Sequence, residues 1–216
     1  MKAWVRYFSI ILVMALAILA CSTGGQNPQG AASGDTLFED DFSNPESGWD
    51  RIQDNGGKID YVDGKYQMAV NTADTDVWAN PGKKFGDVSI LVSAAKVDGT
   101  DNNDYGVICR YVDSDHFYFF VISSDGYYGI GKVKDGQFLM VNGEDMLPSE
   151  DIRKGSEMNT IQADCAGSTL SLSVNGKLLD TQNDSEFASG DVGLLAGTFA
   201  DAGVKVEFDD FIVKMP

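Results

Sequence analysis

Residues 104–136 read DYGVICRYVDSDHFYFFVISSDGYYGIGKVKDG. In this stretch 104–113 and 116–123 are apolar or aromatic on both phases, with Val107, Ile108, Tyr111 and Val112 in the first and Phe117, Tyr118, Phe119, Phe120 and Val121 in the second. A strand with one solvated face alternates, so two neighbouring strands that do not alternate fit the centre of a sheet covered on both sides. Asp125-Gly126 and Asp135-Gly136 close the next two turns, because Asp-Gly favours the positive φ of a tight hairpin. Seven Asn-Gly or Asp-Gly pairs punctuate the chain, with first members at 55, 63, 98, 125, 135, 142 and 175. Farther out, Leu170, Leu172 and Val174 alternate with Ser171 and Ser173, the pattern of a half-buried strand.

No window of 12 or more residues holds a helical stripe. Strands are predicted over 36–42, 58–62, 65–70, 86–97, 104–113, 116–123, 127–133, 137–141, 158–166, 168–175, 177–181, 190–199 and 203–214. The expected fold is all-β, a two-sheet antiparallel sandwich of jelly-roll type. In the last strand Val204, Val206 and Phe208 share one phase while Phe211, Val213 and Met215 share the other. A β-bulge at Asp209-Asp210 would turn both sets inward.

The chain has 216 residues, 33 acidic and 16 basic side chains, and a net charge of −17. Such a surface repels a phosphate backbone, and no basic stripe reverses that locally, which argues against nucleic acid as a partner. Three cysteines and one histidine, with no CxxC or HExxH spacing, exclude a Cys/His zinc cluster.

Lys2 and Arg6 precede a 14-residue apolar run, Tyr7 to Ala20, that ends in Ile18-Leu19-Ala20-Cys21. A membrane span needs about 20 apolar residues, so an uncleaved anchor is the weaker reading, as is a plain secretory signal. The segment resembles a bacterial lipoprotein signal peptide, which implies residues 1–20 as leader, Cys21 as the lipidated mature N-terminus, and a domain facing outside the cytoplasm in the cell envelope. Loss of Lys2 and Arg6 takes the charge from −17 to −19, so the expected attachment is through palmitate-type acyl chains rather than surface charge. Residues 21–35 have no large apolar side chain and read as a flexible tether to a domain at 36–216.

The segments CRYVDSDHFYFFVISSDGYYGIGK (109–132), NTIQADCAGSTLSLSVNGKLL (159–179), SGDVGLLAGTF (189–199) and VEFDDFIV (206–213) resemble the concanavalin A-like lectin/glucanase superfamily. More narrowly they are similar to laminin G-like sandwiches of bacterial surface proteins, including relatives of the 3-keto-disaccharide hydrolase domain. The resemblance implies the sandwich fold; it says little of chemistry, because the superfamily hosts lectins, glycosidases and adhesive modules alike.

Glycosidases of this kind carry an ExDxxE strand, and retention needs two carboxylates about 5–5.5 Å apart. No ExDxxE occurs, and neighbouring acids on a strand point to opposite faces, so no catalytic residue is assigned. Should a hydrolase be at work, Asp104 or Asp113 would be its acids. Cys109 and Cys165 are the pair left once Cys21 is lipidated, and both alternate with core positions. A bridge is favoured over two reduced thiols and would contribute about 4 kcal/mol. A meeting of Asp40 and Asp41 with Asp209 and Asp210 where the first and last strands pair, or the loop Asp98–Asp104, is where a structural Ca²⁺ is expected if one binds. Solvated strand ends and a hairpin loop are the competing readings.

Sugars lay their C–H faces on aromatic rings and hydrogen-bond to planar polar groups. Trp78, Arg110, Tyr118, Tyr127 and Tyr128 supply those groups. Arg110 alternates with Cys109, so it is expected on the outer, concave face beside Tyr118; a structural Arg–carboxylate pair is the alternative. Trp49 is expected to plug the sandwich end, with Trp78 as a second such plug, and His116 is read as a surface turn residue. The glycines of GYYGIG and GDVGLLAG are read as strand and turn glycines, since no phosphate-loop Lys and helix follow. The expected function is glycan binding, with a structural or protein-interaction module and a hydrolase as rivals.

Overall fold

The computed structural model describes residues 33–216. The expected leader, Cys21 and the tether up to residue 32 lie outside the described residues. The strands are β1 (Thr36–Asp40), β2 (Ile52–Gln53), β3 (Gly57–Val62), β4 (Lys65–Val70), β5 (Thr75–Ala79), β6 (Lys84–Phe85), β7 (Val88–Gly99), β8 (Asn103–Asp113), β9 (His116–Ile122), β10 (Tyr127–Lys134), β11 (Gln137–Met140), β12 (Leu147–Pro148), β13 (Asn159–Ala166), β14 (Thr169–Val174), β15 (Lys177–Asn183), β16 (Gly190–Thr198) and β17 (Val204–Lys214). Each of the thirteen predicted strands is present, and β2, β5, β6 and β12, all of five residues or fewer, were not expected.

Two antiparallel sheets result. The nine-stranded sheet runs β15-β14-β13-β7-β17-β4-β3-β2, with β1 also on β17; the eight-stranded sheet runs β11-β10-β9-β8-β16-β5, with β12 on β10 and β6 on β16. Both central residues of the turns at Asp63-Gly64, Asp135-Gly136 and Asn175-Gly176 have positive φ, as a two-residue hairpin turn requires. The first and last strands pair, and backbone bonds Gly34 N–H to Met215 O and Met215 N–H to Asp35 O carry the pairing into the end of the expected tether.

The core lies between the sheets. From β7 and β13 come Val88, Ile90, Val92, Ile161 and Ala163; facing them are Tyr105, Val107, Tyr118, Phe120, Ile130 and Leu194. The expected bulge in β17 is present: its register on β7 jumps from Asp209 opposite Ser93 to Ile212 opposite Leu91, Asp210 takes φ 51°, and Phe208, Phe211 and Val213 are all buried. Cys109 and Cys165 form the expected disulfide, with Cα atoms 6.8 Å apart, and tie β8 to β13 across the core. Trp49 closes one end, donating from Nε1 to Asp40 Oδ2 at 3.0 Å and packing edge-on against Phe42 and Phe211.

Candidate functional site on the outer face of the eight-stranded sheet

Antiparallel register stacks residues into rows across the outer face of β5, β16, β8, β9, β10 and β11. One row runs Ile108, Phe119, Gly131 and Met140; the next runs Trp78, Leu195, Gly106, Val121 and Gly129; a third runs Asp76, Gly197 and Asp104. Ile108, Phe117, Phe119, Val121, Val133 and Leu195 form a second apolar cluster here, separate from the core, with Trp78, Tyr111, Met140 and Met146 against it. Phe138 packs on Phe119 with centroids 5.6 Å apart, and Trp78 on Phe117 at 5.4 Å.

Glycines set the depth of this face. A Cβ on Gly131 would lie 2.1 Å from the Phe119 ring, and one on Gly129 would lie 2.4 Å from the Met140 methyl. Gly197 matters most, because a Cβ there would fall 1.9 Å from Asp76 Oδ1 and 2.3 Å from Asp104 Oδ1. Asp76 and Asp104 sit on strands either side of β16, and their carboxyl groups lean over Gly197 and meet. Burial pushes the Asp76 carboxyl up to about 6. Asp104 is held well above the ordinary carboxylate range, first by burial and then by the neighbouring Asp76 charge. The pair opens into a cavity of about 350 Å³ walled by Phe119, Phe138, Met140, Met146 and Phe199. Phe138 and Phe199 are 45% and 39% exposed, so the wall is accessible.

Two further cavities adjoin. One of about 260 Å³ shares Met146 and Phe199 and adds Asn102, Ser123, Asp125, Tyr127 and Asp145; one of about 390 Å³ shares Asp76 and adds Trp78, Asp54 and Thr75. Together they make a groove of the size that takes a small molecule or a stretch of chain.

The sequence-predicted ligand residues divide. Trp78 lies on the outer face, not at a sandwich end, and Tyr127 is exposed beside Ser123 and Asp125; both line the groove. Arg110, Tyr118 and Tyr128 do not. Arg110 sits in a bulge of β8 with φ 53°, which breaks the alternation with Cys109 and turns the side chain toward the opposite sheet. There it is 2% exposed, donating from Nη1 to the Phe187 carbonyl at 2.8 Å and from Nη2 to Asp87 at 3.0 Å. The Arg–carboxylate pair is what forms. Tyr118 pairs with Cys109 on the inner face, donating to Asp184 at 2.5 Å and accepting from Phe187 N–H; burial, then the Asp184 carboxylate, push its hydroxyl up to about 12. Tyr128 is also inward, its hydroxyl near the Leu179 carbonyl, and burial raises it.

Asp40, Asp41 and Asp210 line one cavity with Glu39 and Asn44, but oxygens of Asp40, Asp41 and Asp209 have other uses. Asp40 accepts from Phe42 N–H and Trp49 Nε1–H, Asp41 from the Ser43 amide and hydroxyl, and Asp209 pairs with Lys65 at 2.5 Å. Within the Asp98–Asp104 loop, Asp101 pairs with Lys96 and Asn103 bonds Thr100 O and Ser124 Oγ. Among the described residues, no group of three or more His, Cys, Asp or Glu is arranged to hold a metal ion. Asp113 is exposed and clamps His116 at 2.7 Å, which lowers the carboxyl and raises the imidazole.

Sequence reasoning did not place Asp76, Phe119, Phe138, Met140, Met146 and Phe199 in a site. The signal was the spacing of glycines: 129 and 131 on β10, and 193 and 197 on β16, fall on one phase and mark the outer face.

The sequence matches no protein-family model and no curated protein. Among solved structures, the carbohydrate-binding module CBM66 from Bacillus subtilis superposes with a TM-score of 0.62 at 15% identity, over 77% of this chain and 95% of that one. A Bacillus subtilis protein of unknown function with a galectin-like fold gives 0.61 at 13%, over 85% and 97%. The fold is a concanavalin A-like, lectin-type β-sandwich. The GH43 protein BlXynB of Bacillus licheniformis gives 0.57 at 13% identity, with this sandwich spanning 84% of its own length and 40% of that protein. At such identities the likeness is one of fold.

Proposed function

We propose that the domain is a non-catalytic glycan-binding module of the cell envelope, held to a membrane through lipid on Cys21, and that its ligand lies in the groove over β5, β16, β8 and β9. The observation that carries this reading is the groove: three adjoining cavities on one face, with Trp78, Phe119, Phe138, Phe199 and Tyr127 offering rings and Asp76, Asp104, Asp125 and Asn102 offering hydrogen-bond partners. Rings and planar polar groups side by side are what a sugar's two kinds of surface require. The carbohydrate-binding module among the structural neighbours supports the same reading. The Asp76–Asp104 pair does not favour a hydrolase, because carboxyl groups that touch leave no gap for a glycosidic bond between them.

Affinity electrophoresis of the soluble domain against a panel of envelope and plant polysaccharides tests the assignment. Retention on at least one polymer, weakened by Phe138→Ala and Trp78→Ala and untouched by Arg110→Lys, is expected; no retention on any polymer overturns it in favour of a protein-interaction module. For the anchor, incorporation of a palmitate analogue that disappears in Cys21→Ala is expected.

A further inference from the structure

The floor of the groove has a feature that a neutral sugar does not call for. Asp104 is 8% exposed, lines the cavity, and its Oδ1 receives no hydrogen bond among the described residues. Beside it stands a second carboxyl group, Asp76, with which Asp104 shares a proton, so the pair has no donor to spare for that oxygen. Among the described residues, those lining the three adjoining cavities include Asp54, Asp74, Asp76, Asp104, Asp125 and Asp145, and no Lys, Arg or His. Above the pair stand the Phe119, Phe138 and Phe199 rings and the Met140 and Met146 thioethers.

Each property selects the same chemistry. A buried carboxyl pair that shares one proton keeps a negative charge and an oxygen without a donor, and a cationic donor relieves both. Aromatic faces attract cations and repel anions, so the walls agree with the floor. Uronic, sulfated or sialylated glycans are disfavoured by six aspartates with no cation among them. A hydroxyl supplies one donor and no charge, whereas a primary ammonium supplies three donors and a full charge. A quaternary ammonium carries the charge but has no N–H for Asp104 Oδ1.

We propose that the Asp76–Asp104 floor takes a primary ammonium group, and that the ligand is a glycan bearing free amines, a de-N-acetylated amino-sugar chain. This inference rests on the glycan-binding reading above. The amine would sit between Asp104, Asp76 and the Phe138 ring, with flanking sugars along the cavities beside Trp78 and Tyr127.

Calorimetric titration of the soluble domain near neutral pH, in physiological salt, tests it with four probes: a β-1,4-glucosamine tetrasaccharide, its fully N-acetylated counterpart, cellotetraose, and tetramethylammonium. The glucosamine oligomer is expected to bind about tenfold or more tighter than either neutral oligomer, the difference expected of one charge-assisted contact. Asp104→Asn, checked for folding by circular dichroism, should erase that preference, and Phe138→Ala should weaken it with the exposed wall alone removed. Asp113→Asn, which removes a surface charge outside the groove, should leave it intact. Equal or tighter binding of the N-acetylated or neutral oligomer would overturn the ammonium assignment and leave the glycan reading standing. Equal loss in Asp113→Asn would overturn it as bulk attraction to an acidic protein. Binding of tetramethylammonium with no oligosaccharide bound would overturn both in favour of a quaternary head group, and binding of none of the four would likewise overturn the assignment.

Discussion

The two sheets share an inner face and differ in their outer ones. On β7 and β13 every second residue is buried and the residues between, such as Ser89, Ser93, Gln162 and Asp164, are partly open to solvent. On β16 all nine residues are buried, as are the first eight of β8 and the last six of β9. The nine-stranded sheet therefore meets water as antiparallel sheets ordinarily do, and the eight-stranded sheet carries a second apolar layer that no third layer of secondary structure among the described residues covers. An accessible apolar face with glycine hollows and a carboxylate pair marks a binding surface rather than a packing one. That difference, and not any single residue, locates the groove.

The largest effect should come from what the two sheets have in common. Replacing Cys109 and Cys165 together by alanine removes the tie between the inner faces and is expected to cost about 4 kcal/mol in urea denaturation. Glycan retention per folded molecule should not change, since neither sulfur reaches the groove. Next comes the contrast itself. Phe119→Ala on the outer face of the eight-stranded sheet empties a 4% exposed site and should cost about 3 kcal/mol or more, whereas Gln162→Ala on the outer face of the nine-stranded sheet should stay within about 0.5 kcal/mol. Comparable losses at the two positions would break the comparison.

A smaller effect, with a size that depends on pH, belongs to the carboxylate pair. Because burial raises Asp76 from 3.8 to about 6 and lifts Asp104 as well, the folded state holds more protons than the unfolded state in that window. The pair's contribution is most favourable below about pH 4 and is lost as pH rises through about 6. Asp104→Asn gives Asp76 a neutral neighbour that can donate to it, so the variant should match the wild type near pH 4 and exceed it by about 1–2 kcal/mol above pH 7. Urea midpoints at both pH values measure the difference; an equal shift at each would mean that the carboxyls do not share their charge. The smallest effect concerns the acids at β1 and β17, on the nine-stranded sheet. Their engagement with Trp49, Phe42, Ser43 and Lys65 leads to the expectation that a chelator moves the melting temperature by no more than about 1 °C, and a larger drop would establish a structural Ca²⁺ there.

The sandwich was legible because alternation, hairpin dipeptides and doubly apolar strands are local signals. The slip at Asp209-Asp210 was legible for the same reason: two phases of apolar residues cannot both face a core without a bulge. Arg110 shows the limit. Nothing in Cys109-Arg110-Tyr111-Val112 announces a left-handed residue, so alternation assigned the guanidinium to the wrong side, and Tyr118 was placed beside it by the same step. The site's floor was hidden for a different reason. Asp104 was visible at the start of a strong strand, but its partner lies on β5, five residues with no run of alternation, and the two meet only because β16, more than ninety positions later than Asp104 in the register at Gly197, runs between them. Sequence patterns report faces; they do not report which strand comes to lie beside which.

The pairing of β1 with β17 has a consequence for how the chain reaches this structure. β1 finds its ladder only on β17, and β5 and β6 find theirs only on β16, so three strands from the first half of the domain wait for the last two. Contacts of such sequence separation close slowly, and until they close the edges of β4 and β7 that β17 will occupy stay open. A chain emerging residue by residue from the ribosome therefore completes the eight-stranded sheet only when β16 is out, and the nine-stranded sheet only with β17, its last strand. Delayed folding of this kind keeps a polypeptide threadable, which is the state in which a translocation pore accepts it.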